Sequence, residues 1–223
     1  MDKIYQLTSP RAISFAIKGL FHYNKVHDDL KVKFIIHVLS KKLMDIYYEN
    51  FDQGWEWFEQ SLTYANSILP EAMLYSYLSS GDEIYKMVAK DSFDFLISKI
   101  FSNDSIHVIS NKTWYRRGTE QGKYGEQPID ISYCILTLQT FYTVFNEIKY
   151  KELMNKAFSW FLGNNHLHQA IYTSSTGGCC DGLEETNVNL NQGAESTVCY
   201  LMARLATEEV NNSKQQTANS KSD

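Results

Sequence analysis

Asp29-Leu-Lys-Val-Lys-Phe-Ile-Ile-His-Val-Leu-Ser-Lys-Lys-Leu-Met-Asp-Ile-Tyr-Tyr-Glu-Asn50 sets apolar side chains at Val32, Ile35, Ile36, Leu39, Leu43 and Ile46. Steps of three and four residues line up along one face of an α-helix and scatter over both faces of a strand. The same period occurs upstream at Ile13, Ala16, Ile17, Leu20 and Phe21, and it recurs through most of the chain. With only three prolines in 223 residues to interrupt it, the pattern predicts an all-α protein. Helices are expected at about 10–24, 29–50, 65–79, 82–101, 128–147, 149–163 and 192–208. Pro10 after Ser9 and Pro70 after Leu69 suit helix starts or first turns. Beyond Glu208 the polar run Asn211 to Asp223 offers nothing to bury, so the chain reads as a domain over 1–208 and a disordered tail over 209–223.

The connections alternate in length: short near 25–28, long at 51–64, short near 80–81, long at 102–127, nearly absent at 148, long at 164–191. Successive antiparallel helices reverse direction, so every second connection lies at the same end of the array. The three long loops are therefore expected on one face, with Trp55, Trp57 and Trp114 among them. Helical hairpins recurring at steps of roughly 50 residues fit stacked helix pairs or an (α/α) toroid.

A chain of this length buries about two-thirds or more of the surface its unfolded form exposes. Lys and Arg number 21 against 26 Asp and Glu, for a net charge of −5. No basic stripe interleaved with aromatics occurs, which argues against nucleic acid and against anionic membranes as partners. Charges at Asp2, Lys3, Arg11, Lys18, Lys25, Asp28 and Asp29 interrupt the first 30 residues. No signal peptide or membrane span is expected, and the chain reads as cytoplasmic. The four cysteines, Cys134, Cys179, Cys180 and Cys199, match no zinc framework and read as reduced, packed thiols.

Several short motifs, in order and spacing, carry a resemblance. They are Trp55-Glu-Trp-Phe58, Leu62-Thr-Tyr-Ala-Asn66, Leu69-Pro70, Gln127-Pro-Ile-Asp130, Phe158-Ser-Trp-Phe-Leu-Gly-Asn164 and Gly177-Gly-Cys-Cys-Asp-Gly-Leu183, then Asn189-Leu-Asn-Gln-Gly-Ala-Glu-Ser-Thr197. Spanning about residues 9 to 205, they resemble the six-hairpin, glycosidase-like (α/α-toroid) domains found with, or fused to, bacterial group 1 glycosyltransferases. The resemblance implies a toroid related in shape to glycoside hydrolases and N-acylglucosamine 2-epimerases, acting on or binding carbohydrate, with a glycosyltransferase as a partner. Seven helices are fewer than the twelve of a closed six-hairpin toroid. The array is then open or shortened, or residues that other members place upstream are missing, and its uncovered apolar faces suit a homo-oligomer. Glu126 stands before Gln127-Pro128 where an acidic or amide residue is expected.

The candidate site residues follow from side-chain chemistry. Trp55 and Trp57 flank Glu56, and an indole stacks on the C–H face of a sugar ring while a carboxylate accepts from hydroxyls. The same rings would equally anchor a helix start in the core. Glu56 is a general-acid candidate if apolar rings raise its pKa. Tyr64 and Asn66 extend this segment. Asp181, between Cys180 and Gly182, has a permissive backbone for aiming a carboxylate into a cleft, or for a turn. Glu195 suits either ligand contact or the helix dipole. Asp130 completes the carboxylate set. Gln127, Asn187, Asn189, Asn191 and Gln192 offer amides to sugar hydroxyls or to their own backbone. Trp114 and Tyr115, followed by Arg116 and Arg117, offer a second stacking platform with a cation for an acidic sugar, or a solvated loop.

Metals and cofactors find little support. Residues from Asp181 onward lack the ligand order of a calcium loop, and the His166-x-His168 spacing has no further ligands nearby. No Gly-x-Ser-x-Gly, Walker loop, dinucleotide fingerprint or His-Glu-x-x-His occurs. The reading is a carbohydrate-active protein without cofactor. It is a glycoside hydrolase in which two of Glu56, Asp181, Glu195 and Asp130 act as the acid/base pair, or else a non-catalytic carbohydrate-binding or scaffolding module. A separation of about 6.5–9.5 Å would imply inversion and about 5–5.5 Å retention. A sugar epimerase, wanting a histidine pair in the cleft, has only His107, His166 and His168 in the long loops. A purely structural helical scaffold would show a cleft face filled by its own side chains.

Overall fold

The computed structural model describes residues 2–219. It is mostly helical, with seven α-helices among those residues: α1 (Pro10–His27), α2 (Leu30–Asn50), α3 (Ile68–Ser80), α4 (Glu83–Ile100), α5 (Pro128–Phe145), α6 (Ile148–Ser159) and α7 (Ala194–Asn219). Among the described residues each β-strand is two residues long. None of the described helices is long and apolar enough to cross a membrane.

Local chemistry sets the helix ends. Ser9 caps α1 with Pro10 following, and the Asp29 carboxylate accepts from Lys31 N at 2.8 Å to cap α2. Gly81 and Asn146 close α3 and α5 in left-handed conformation, at φ 76° and 53°. The start of α3 lies three residues later than the periodicity suggests, because Ala65 has φ 46° and cannot be helical. The end of α6 comes early: Trp160–Leu162 tighten into a 3-10 turn. Past Glu208 the described backbone is helical to Asn219. Val210, 5% exposed, and the Asn211 bond to Asn155 Oδ1 at 3.0 Å give this stretch contacts of its own. Residues 220–223 of the expected tail lie outside the described residues.

The chain forms two compact units. The first holds the residues up to Leu62, Asn66–Lys99 and Arg116–Gly118. Its central helix is α3, buried continuously from Ile68 to Ser76, with α1 and α2 packed on it. A helix apolar all round belongs inside, and α1 and α2, apolar on one face, cover it. An ion pair with one buried partner belongs to this core. Lys18 Nζ reaches both oxygens of the fully buried Glu71, at 3.0 and 2.8 Å.

The second unit holds Thr63–Ala65, Ile100–Tyr115 and the residues from Thr119 on. Here α5 is the inner helix, packed against α6 and α7. Two short antiparallel hairpins fill the stretch before α7, Tyr172–Thr173 with Gly178–Cys179 and Gly182–Leu183 with Val188–Asn189. The long loops 101–127 and 164–191 meet in this unit, where Glu126 and Leu183 exchange backbone hydrogen bonds at 3.0 and 2.9 Å. All four cysteines are free and buried. Burial pushes the Cys134 thiol up, that of Cys179 to about 12 and that of Cys199 to about 11, which makes these three inert packing groups.

Candidate active-site cleft

A cleft of about 310 Å³ opens in the second unit where three segments converge. The loop before α5 brings Asn111, Glu126 and Gln127. The hairpin starting at Gly182 brings Asp181, Glu184 and Asn189, and the first turn of α7 brings Glu195 and Ser196. Close backbone approach makes the convergence possible. A β-carbon on Gly182 would stand 2.5 Å from the Glu126 carbonyl oxygen, and one on Gly193 would stand 3.0 Å from Asp181 Oδ1. At Gly182 a larger residue would have to displace backbone, whereas at Gly193 the Asp181 carboxylate would have to give way.

Asp181 is held from two sides. Its backbone N–H donates to the carbonyls of Asn191 at 2.8 Å and Asn189 at 3.1 Å. Its Oδ1 accepts from Gly193 N at 2.9 Å and from Ser196 Oγ at 2.7 Å. The carboxylate therefore sits at the amino end of α7, where free N–H groups and the helix dipole favour negative charge. Glu195 is in the same first turn and is exposed.

Glu126 is the deepest acid of the cleft, 3% exposed. Its Oε2 accepts from the indole Nε1 of the fully buried Trp160 at 2.7 Å, and its Oε1 lies 3.4 Å from His107 Nδ1. The hydrogen bond to Glu126 raises the pKa of His107 against the opposing effect of its burial. The other ring nitrogen of His107 lies 2.9 Å from Ser105 Oγ. Glu184 forms an ion pair with Lys112. Four carboxylates, three amides and a serine hydroxyl thus line one cavity. Such a set exchanges protons and hydrogen-bonds polyhydroxylated molecules. Among the described residues no group of three or more His, Cys, Asp or Glu side chains is arranged to hold a metal ion.

Of the residues singled out in the sequence, Asp181, Glu195, Gln127 and Asn189 line this cleft. Others have structural partners. Trp55 and Trp57 belong to the first unit and are 3% and 0% exposed, packed on Phe95 at ring distances of 5.2 and 6.1 Å. Neither ring has a face open to a ligand, so the anchoring alternative holds for both. Glu56 Oε1 accepts from Gly54 N at 2.8 Å within the same loop. Asn66, 5% exposed, accepts from Arg11 at 3.2 Å. Asp130, 6% exposed, accepts from Ala65 N at 2.6 Å and so fastens the start of α5 to a neighbouring loop. Gln192 bridges Thr173 and Thr176, both at 3.0 Å. Asn191 serves through its backbone carbonyl. Tyr64 and Trp114 are half exposed and Tyr115 is part-buried; none of the three lines the cleft. His166 meets the Glu184 carbonyl at 2.7 Å, and His168 has φ 52°, a turn rather than a strand.

Asn111, Glu126, Glu184, Ser196 and His107 were not among the candidate site residues: Glu126 drew notice only as the acid before Gln127-Pro128, His107 only as a loop histidine and Ser196 only within the Asn189–Thr197 motif, because no period marks which loop side chains turn inward.

Among known proteins no family model matches the chain, and no curated protein matches it. Solved structures do. The family 76 α-1,6-mannanase from Salegentibacter sp. HEL1_6 superposes with a TM-score of 0.65 at 13% identity, over 92% of this chain and 56% of that one. An inactive variant of that mannanase, with two aspartates changed to asparagine and in complex with α-1,6-mannotriose, gives 0.63 at 13% identity, over 89% and 54%. A family 76 mannosidase from Bacteroides thetaiotaomicron gives 0.50 at 14% identity, over 66% and 38%. The chain thus matches the six-hairpin glycosidase fold of these enzymes and spans about half the length of the mannanase structures. At such identity the likeness is one of fold.

Proposed function

We propose that this chain is a carbohydrate-active protein of glycoside hydrolase type, working in the acidic cleft of the second unit. The observation that supports it most is the convergence of Asp181, Glu195, Glu126 and Glu184 on one cavity, in a fold it shares with mannan-cleaving enzymes. In the proposed reaction one carboxylic acid protonates the glycosidic oxygen as the bond to the anomeric carbon breaks. A second carboxylate takes a proton from the water whose oxygen bonds to that carbon, or itself forms the bond first and is displaced by water. Asp181, fixed by two donors, suits the base or nucleophile. Glu195, exposed at the cleft edge, suits the acid that meets the leaving group. Gln127, Asn111 and Asn189 would hold sugar hydroxyls.

The helical hairpins are read as those of an (α/α) toroid or partial toroid. Val198, Leu201 and Leu205, all more than half exposed, lie along one face of α7, and a second copy would cover them in a homo-oligomer. Four free buried thiols suit the cytoplasm.

The test is incubation of wild type, Asp181→Asn and Glu195→Gln with α-1,6-mannotriose and a panel of gluco-, manno- and galacto-oligosaccharides, with products separated by chromatography. Products from wild type that fall by about 10²–10⁴-fold in either variant support the reading. Folded wild type that gives no product from any of them overturns the hydrolase. Retained sugar binding in all three proteins would then point to a binding module working beside a glycosyltransferase.

A further inference from the structure

We propose that the first unit carries a second ligand site, for a small neutral polyol of about the size of one sugar ring, between α2, the end of α3 and the start of α4. A cavity of about 190 Å³ lies there, room for roughly six waters at about 30 Å³ each. Lys33, His37 and Ser40 reach it from α2 at four- and three-residue steps, and so from one helix face. Ser76, Ser79 and Ser80 reach it from α3, and Tyr85 from α4.

The direction of the hydrogen bonds selects the ligand. A serine hydroxyl has one proton and two lone pairs. Ser40 Oγ lies 2.8 Å from the Ile36 carbonyl and 2.6 Å from Ser76 Oγ; Ser76 Oγ lies 2.8 Å from the Ala72 carbonyl. Ser80 Oγ donates to the Ser76 carbonyl at 2.8 Å. These protons are engaged inside the helices, and what the three serines have left is acceptor capacity. Donors come from other groups. Tyr85 is 3% exposed, yet among the described residues nothing hydrogen-bonds its hydroxyl. Burial, with Asp82 and Asp45 adding to it, raises the pKa of this phenol, and a phenol at neutral pH is a donor. Ser79 likewise has no hydrogen-bond partner for its hydroxyl among the described residues, and Lys33 adds an ammonium that also pairs with Asp28.

A sulfate only accepts and a phosphate, which keeps one or two protons near neutral pH, mainly accepts; either would face serine lone pairs and the field of Asp82 and Asp45. An ammonium ion only donates, and would face Lys33 and the Tyr85 proton. The hydroxyls of a polyol both donate and accept, which matches a wall that presents both, and the Ile36 side chain offers an apolar surface to C–H groups. The site stands apart from the cleft reading, since all its residues belong to the first unit.

The experiment is an NMR titration of the isotope-labelled full chain with D-mannose, inorganic phosphate and ammonium chloride in turn. Saturable shifts at Ser79, Ser80 and Tyr85 are expected with mannose and with neither ion. Tyr85→Phe, which removes one hydrogen bond and keeps the ring, should weaken mannose binding there by about three- to tenfold. Ser79→Ala, at a part-buried position, gives a second reading should the first variant unfold. Asp181→Asn should leave the shifts intact, which separates this site from any failure of the cleft. No saturation with mannose, equal shifts with phosphate, or unchanged affinity in both variants overturns the proposal.

Discussion

Trp160 Nε1 donates a 2.7 Å hydrogen bond to Oε2 of Glu126, so the floor of the acidic cleft rests on an indole from the turn that follows α6. Trp160→Phe keeps an aromatic ring and deletes the donor. A hydrogen bond to a charged group is worth about 1.5–3 kcal/mol, and the lost ring volume adds to that. Urea unfolding should show a loss of at least this size. A loss under about 0.5 kcal/mol would mean that the carboxylate finds another donor when the indole is gone.

His107 gives the cleft a pH signature. Its folded pKa is raised above the ordinary 6.5, chiefly by the hydrogen bond to Glu126. Folded protein thus holds this proton more tightly than unfolded protein does. The stabilisation is complete below about pH 6.5 and is lost as pH rises through the folded value. Wild type should lose its stability advantage over His107→Gln as pH rises above about 6.5. A difference between the two that does not change with pH would remove the Glu126 contact as its source.

Lys18 and Glu71 test the core of the first unit. Glu71 is fully buried, and Lys18→Met leaves its charge without that cation, at a cost of about 3–5 kcal/mol. Replacing both, as Lys18→Met with Glu71→Leu, should recover most of that loss, because the expensive state is a buried carboxylate left without its cation. Calorimetric melting of the two variants decides it; a double variant as unstable as the single would show that packing matters more than charge.

Gly182 and Gly19 should respond in opposite directions to alanine. A β-carbon at Gly182 would press on the Glu126 carbonyl at 2.5 Å, against backbone that cannot step aside. Gly182→Ala should cost about 1–3 kcal/mol. Gly19 sits in α1 with open space around it, and Gly19→Ala should gain about 0.5–1 kcal/mol of helix propensity. Melting temperatures that shift the same way in both would contradict the close approach.

The seven helices were legible in the chain because apolar residues at steps of three and four report directly which face is buried, as Val32 to Leu43 do in α2. Ser9 with Pro10 narrowed the start of α1, and Pro70 falls in the first turn of α3. Loop chemistry was legible in part: Asp181, Glu195 and Gln127 drew notice as carboxylates and an amide near glycines and a proline, and they line the cleft. The tryptophans misled, since an indole suits a core and a sugar platform equally, and a ring that both Trp55 and Trp57 pack on, Phe95, lies some forty residues away in sequence.

What the sequence by itself determined is helical content, the placement of long loops between helices, and the acidic, amide-rich chemistry those loops carry. Only the tertiary structure decided which of those groups meet. Glu126 joins Asp181 because Gly182 lets two backbones approach and Leu183 bridges to it, while Asp130 and Glu56 accept backbone N–H groups instead. Helical periodicity is a local property written every third or fourth residue, whereas the neighbours of a loop carboxylate are set by contacts between segments that no local period records.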